Sequence, residues 1–178
     1  MKVYDFEGAL YKGDIIEDFV DYRATKKEKY KNLLTLAKPM ISLYKLNFLS
    51  LDKLSKFANK YIKDIDVSEK KVLITAEDFW KINEEKLNTE LIKKIKSKDL
   101  IVTILPEDFL KPLKLKSKKV LGSIYNYEEN KIDFICYNEA KDEAFLKEYK
   151  DEVIEEYFTD KRSNNEIARR AKKTTIIK

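Results

Sequence analysis

Three features of the sequence predict an α/β fold built on a mostly parallel sheet. Short β-branched apolar runs, residues 99–105 above all, alternate with segments of helical periodicity, the pattern of parallel strands joined by crossover helices. Between the first apolar run, residues 2–10, and the later ones lies a stretch from residue 14 to about 71 that reads as helix throughout, too long for a crossover and therefore read as an inserted all-helical cap. Residues 119–127 and 131–135 are two short runs around Glu128-Glu129-Asn130, which reads as a β-hairpin at the sheet edge. With 178 residues, 43% of them hydrophobic, the chain has enough apolar material for one real core.

Taken in order, Val3-Tyr4 leads into Asp5-Phe6-Glu7-Gly8, an apolar strand that ends in two carboxylates one residue apart and then a glycine. Alternation along an extended strand puts Asp5 and Glu7 on one side, and Gly8 is read as permitting a turn. Two converging carboxylates raise one another's pKa and call for solvent, a partner or a cation. Asp14 is placed to cap a helix whose Ile15, Ile16, Phe19, Val20 and Tyr22 share a face. The spacing continues through Tyr30, Leu33, Leu34, Leu36 and Ala37 to Pro39, which breaks or kinks the helix, and resumes over residues 41–49. Another helix starts at Ser50-Leu51-Asp52-Lys53 and runs to about residue 63. A further one begins at Thr75-Ala76-Glu77-Asp78 and carries Phe79 and Trp80, with Trp80 read as packing between cap and core. Leu91, Ile92 and Ile95 mark the next helix, and Pro106-Glu107 ends the strand at 99–105 and opens another. Residues 139–149 read as helix, 153–158 as a strand ending at Thr159-Asp160, 164–173 as helix and 174–177 as a last strand. The carboxyl ends of such strands are where chemistry is expected.

Composition excludes several kinds of function. Lys and Arg number 37 against 32 acids, a net charge of +5, and with no arginine stripe interleaved with aromatics no nucleic-acid partner is expected. The absence of histidine removes histidine triads, histidine bases and ordinary histidine-containing zinc sites. A lone Cys136 reads as core and fits a reducing, cytoplasmic setting. No basic region followed by an apolar core opens the chain, and the most apolar long stretch, residues 33–51, is interrupted by Lys38, Pro39, Lys45 and Asn47, so neither a signal peptide nor stable membrane insertion is expected. Chemistry must therefore run on carboxylates, hydroxyls and amines.

Strand-end Asp5, strand-end Thr103, helix-borne Lys141 and strand-end Asp160, in that order, resemble the four motifs of the haloacid dehalogenase (HAD) superfamily, in its phosphoserine-phosphatase-like branch. The resemblance covers nearly the whole chain. It implies a Rossmann-like core from residues 1–13 and 81–178 with a cap at 14–80. It also implies a Mg²⁺-dependent phosphohydrolase acting on a small phosphate monoester through an aspartyl-phosphate. Asp5 would be the nucleophile, Glu7 would protonate the leaving oxygen and then activate water, and Thr103 and Lys141 would bind the phosphoryl oxygens. Mg²⁺ would be held by Asp5, the backbone carbonyl of Glu7, Asp160 and the group at Asn164; Lys147 is a weaker candidate for the lysine.

The motif pattern is not fully kept. Glu7 stands where the family has the shorter Asp, Ala9 lacks the hydroxyl that helps fix the first loop, Asn164 lacks a second acid's charge, and Lys161-Arg162 follow Asp160 directly. These departures imply weakened activity and keep a second reading open, a non-catalytic HAD-fold module that holds a phosphorylated ligand or a protein partner. A receiver-type signalling domain is disfavoured, since its phosphorylated Asp lies on a middle strand and it has no room for a cap.

Overall fold

The computed structural model describes residues 1–26, 39–40, 42–43, 48–62, 68–160 and 165–178. The predicted helix at 30–37, most of its continuation to residue 49, and the site candidates Lys161, Arg162 and Asn164 lie outside the described residues.

The architecture is α/β, with a six-stranded, mostly parallel sheet. Its strands are β1 (Lys2–Asp5), β2 (Leu100–Pro106), β3 (Lys119–Asn126), β4 (Lys131–Phe134), β5 (Glu156–Thr159) and β6 (Thr174–Ile176). The spatial order is β4-β3-β2-β1-β5-β6, and only the β3–β4 pair is antiparallel. β1 is therefore interior, flanked in parallel by β2 through Val3↔Leu100 and by β5 through Val3↔Tyr157.

Period-two alternation splits the core into two layers. Tyr4, Ile101, Leu105 and Phe158 face one cluster, which also receives Phe79 and Trp80; Val3, Leu100, Val102 and Tyr157 face the other, with Phe145 and Tyr149. The helices of the first layer are α1 (Ile15–Lys26), α3 (Glu69–Ile82), α4 (Thr89–Ile92) and α5 (Glu107–Leu110), with α2 (Leu51–Ile62) placed between the first two in sequence. Those of the second are α6 (Asn138–Tyr149) and α7 (Glu166–Arg170).

Asp14 caps α1 as expected, its Oδ1 accepting from the N–H groups of Ile16 and Glu17 at 3.1 Å each. α3 starts six residues before the expected Thr75, because the Ser68 hydroxyl accepts from the Lys71 N–H and starts the helix there. Val72, Ala76, Phe79 and Trp80 of α3 face one core, so this helix runs through the expected domain boundary at 80/81. Trp80 is packing: it meets Phe6, Phe79 and Phe109 edge-on, and its indole N–H donates to the Phe109 carbonyl at 2.7 Å.

β5 is shorter than the expected strand. The main chain at 153–155 pairs instead with the first residue, the Met1 ammonium donating to the Val153 carbonyl and the Glu155 N–H to the Met1 carbonyl. At the β4 edge, the Asn59 side chain of α2 accepts from the Ile132 N–H at 2.7 Å and donates to the Ile132 carbonyl at 3.1 Å, imitating a neighbouring strand. No helix among the described residues is long and apolar enough to cross a membrane.

Candidate active site

β1 ends at Asp5, and the chain turns at once into a five-residue π-helical turn, Phe6–Leu10, closed by the Tyr11 N–H donating to the Phe6 carbonyl at 2.8 Å. Such turns are rare and concentrate at functional positions. Glu7 is thus a turn residue rather than the next alternate strand position, and it meets Asp5 through the turn. The expected role of Gly8 needs the same correction. Its backbone is not in the left-handed region, where among glycines only Gly13 falls, with φ of 102°. What Gly8 permits is close approach: a Cβ there would lie 3.0 Å from the Asp160 N, the Asp160 Oδ1 and the Thr159 Oγ1. The ends of β1 and β5 meet so closely over Gly8 that a side chain there would require Thr159 and Asp160 to give way.

From the other side the turn is held by the segment before α4. The Asn88 N–H donates to the Leu10 carbonyl, and the Asn88 amide donates to the Ala9 carbonyl at 3.3 Å. This amide fixes the first loop at the position where Ala9 has no hydroxyl to do so.

Asp5 is half-buried, and its two oxygens differ. Oδ2 accepts from the Tyr157 and Thr159 hydroxyls, each at 3.1 Å, and the Asn165 amide donates to the Tyr157 oxygen at 3.4 Å. Oδ1 has no hydrogen-bond donor among the described residues. Tyr157 is fully buried, and burial followed by the Asp5 charge raises its phenol far above its ordinary value, so it stays a hydrogen-bond donor. These two hydroxyls are functional groups the sequence reading missed. They lie two residues apart on β5, and only the β1–β5 pairing, which no local sequence signal announces, brings them to Asp5.

Glu7 reaches across to the middle of β2, one residue past the last β1–β2 pair, Asp5↔Val102, so Thr103 sits within its strand and not at the expected strand end. Its Oε1 accepts from the Thr103 hydroxyl at 2.5 Å and from the Ile104 N–H at 3.0 Å. Burial, then the charge of Asp5, lifts its carboxyl from 4.5 to about 7, against the lowering effect of these hydrogen bonds. The extra methylene that distinguishes Glu from Asp is what spans the gap to Thr103. Thr103, fully buried, donates its hydroxyl hydrogen bond to Glu7 and accepts from the Leu105 N–H, so its hydroxyl is committed within the protein.

Lys141 lies in the first turn of α6, and its ammonium has no ion pair among the described residues. The buried Cys136 thiol, pushed up to about 12 by burial, feels the charges of Lys141, Glu7 and Asp5. Asp160 is exposed beside Gly8, with no hydrogen bond or ion pair among the described residues.

Asp5, Glu7 and Asp160 therefore lie at or just past the carboxyl ends of β1 and β5, with Glu7 bonded to Thr103 in the middle of β2 and the charge of Lys141 felt at the neighbouring Cys136. No group of three or more metal-ligating side chains occurs among the described residues. The available donors, the Asp5 oxygen and the Asp160 carboxylate that have no partner among the described residues, are hard oxygens, the donor type that suits Mg²⁺, an ion commonly held by one or two carboxylates with phosphate and water completing its shell. No model of a known family, no curated protein and no solved structure matches the chain.

Proposed function

We propose that the chain is a phosphohydrolase of the HAD superfamily, phosphoserine-phosphatase-like, cleaving a small phosphate monoester through an acyl phosphate on Asp5. In this reading residues 1–13 and 81–178 are the catalytic core and 14–80 the helical cap, joined through α3, which crosses from one to the other, and the β3–β4 pair is the edge hairpin. The observation that supports it most is the pairing of a half-tethered carboxylate with a neighbouring acid poised at neutral pH. Asp5 has one oxygen fixed by two hydroxyls and the other free, and Glu7 has its carboxyl raised to about 7.

The free Asp5 oxygen forms a bond to phosphorus while the ester P–O bond breaks, and Glu7 in its protonated form gives its proton to the departing alkoxide. Glu7 then takes a proton from the water that attacks phosphorus, which releases inorganic phosphate and restores Asp5. A group with a pKa near 7 can serve both halves, whereas an ordinary glutamate would be deprotonated before the first. Lys141 supplies positive charge to the phosphoryl oxygens. Asp5, Asp160, the Glu7 carbonyl and Asn164 would hold Mg²⁺, whose charge would offset that of the transferring group.

One observation favours the second reading, a module that holds a phosphorylated ligand without turnover. The Thr103 hydroxyl and the Ile104 N–H, both suited to a phosphoryl oxygen, are occupied by Glu7. The test is a Mg²⁺-dependent screen over a panel of metabolite phosphates, with Asp5→Asn as the control and beryllofluoride labelling of the wild type. The phosphatase reading expects turnover that Asp5→Asn abolishes and a label on Asp5 alone. Activity surviving Asp5→Asn overturns it, and phosphate-ester binding without turnover assigns the module.

A further inference from the structure

The sequence carries a five-residue pattern twice: Lys94-Ile95-Lys96-Ser97-Lys98 and Lys114-Leu115-Lys116-Ser117-Lys118. The first copy leads into β2 and the second into β3, and these strands are parallel neighbours paired through Leu100↔Lys119. The fold therefore sets the two copies side by side. The Lys118 N–H donates to the Ser97 carbonyl at 3.2 Å, and the Ser117 hydroxyl donates to the Asp99 carbonyl at 2.5 Å. The buried Asp99 carboxylate fixes the first copy by accepting from the Lys96 N–H at 2.9 Å and the Lys2 N–H at 3.0 Å.

In a chain whose cations and anions are nearly balanced, residues 93–98 and 111–119 together hold nine lysines and no acid. The three that flank the repeated patterns are paired: Lys93 with Glu90, Lys111 with Asp108 and Lys119 with Glu152. The six within the patterns are all exposed, and none has an ion pair among the described residues. Like charges crowded on two adjoining loops cost stability unless a polyanion neutralises them. This surface lies at the amino ends of β2 and β3, the opposite end of the sheet from Asp5 and Glu7, so both can be occupied at once.

We infer that this double lysine pattern is a docking surface for the sugar–phosphate backbone of a nucleic acid. The apolar residues of the pattern turn inward: Ile95 is fully buried and Leu115 packs on the core, leaving no side chain to enter a bilayer. No aromatic residue and no arginine lies in either segment, so base stacking and planar base readout are absent from them. The recognition is charge matching alone, independent of sequence and steeply dependent on salt. This partner differs from the one that composition suggests, because six dispersed lysines become one surface only once β2 and β3 pair.

The test is fluorescence anisotropy of the full chain with short labelled mixed-sequence DNA and RNA duplexes across a salt series. Six phosphate contacts give a slope of log affinity against log salt of roughly −5. Replacing Lys114, Lys116 and Lys118 with Gln should reduce that slope by about 3 and weaken low-salt binding at least tenfold. The same charge change made at Lys56, Lys131 and Lys172, which are paired with Asp52, Glu129 and Glu155, should leave most of the binding intact. No duplex binding at low salt, or equal loss in the two triple variants, overturns the inference. So does lysine-dependent binding to phosphatidylserine vesicles without binding to either duplex, which would make the surface a membrane contact.

Discussion

Glu7 has the most consequential environment of any single residue, because its carboxyl sits near 7 when 4.5 is ordinary. Between those values the folded chain keeps a proton that the unfolded chain releases, so stability falls as pH rises through that window. In metal-free protein the whole loss is at most roughly 3 kcal/mol. Urea midpoints measured in EDTA from pH 4.5 to 7 should decline, and Glu7→Gln should flatten the decline; a wild-type midpoint that rises over this range contradicts the assignment. The same substitution should lower phosphatase turnover by about 10² to 10⁴-fold. Tyr157 acts one step further out, by orienting Asp5. Tyr157→Phe should keep the packing, lower turnover by roughly 10 to 100-fold and leave the Michaelis constant nearly unchanged. An unaltered turnover number would make the hydroxyl contact incidental. Among these residues, Asp5 and Glu7 were legible as acids at a strand end, but the hydroxyls that hold Asp5 were not, since they belong to a strand some 150 residues away.

The elements were mostly legible, since β2 is a short apolar run and α2 and α3 repeat their apolar positions at helical spacing, whereas α1 and α6 carry that spacing only weakly. What the pattern concealed were main-chain events: the π-helical turn after β1, the early start of α3 at a serine cap, and the capture of residues 153–155 by Met1. The turn after β1 depends on Gly8 for a steric reason, and that separates two explanations. If Gly8 served a left-handed conformation, its replacement would chiefly strain the turn itself. Because it serves close approach, Gly8→Ala must push Thr159 and Asp160 away from Asp5. The expected cost is about 1–3 kcal/mol in thermal or urea unfolding, and Mg²⁺ affinity measured by calorimetry should fall with it. Unchanged Mg²⁺ affinity in a folded Gly8→Ala protein would count against Asp160 as a ligand of the proposed metal site.

Across the whole molecule, the order β4-β3-β2-β1-β5-β6 places an interior strand beside the candidate site and gives the sheet two margins, β4 and β6. Class and strand content were legible from alternation, whereas which strands neighbour one another was not, because pairing is a property of distant segments and carries no local signature. Of those margins β6 is only three residues long, too short to recruit much. β4 is longer, and its Ile132 main chain is occupied by a single side-chain amide from Asn59. An uncovered strand margin is a template for self-association. Asn59 is thus a guard against fibrils as much as a tether for α2. Asn59→Ala, whose loss of stability should stay near 1 kcal/mol, should bind thioflavin T and scatter light on prolonged incubation at a concentration where the wild type stays clear. A clear, dye-negative solution would mean that β4 is protected by its twist and charges alone.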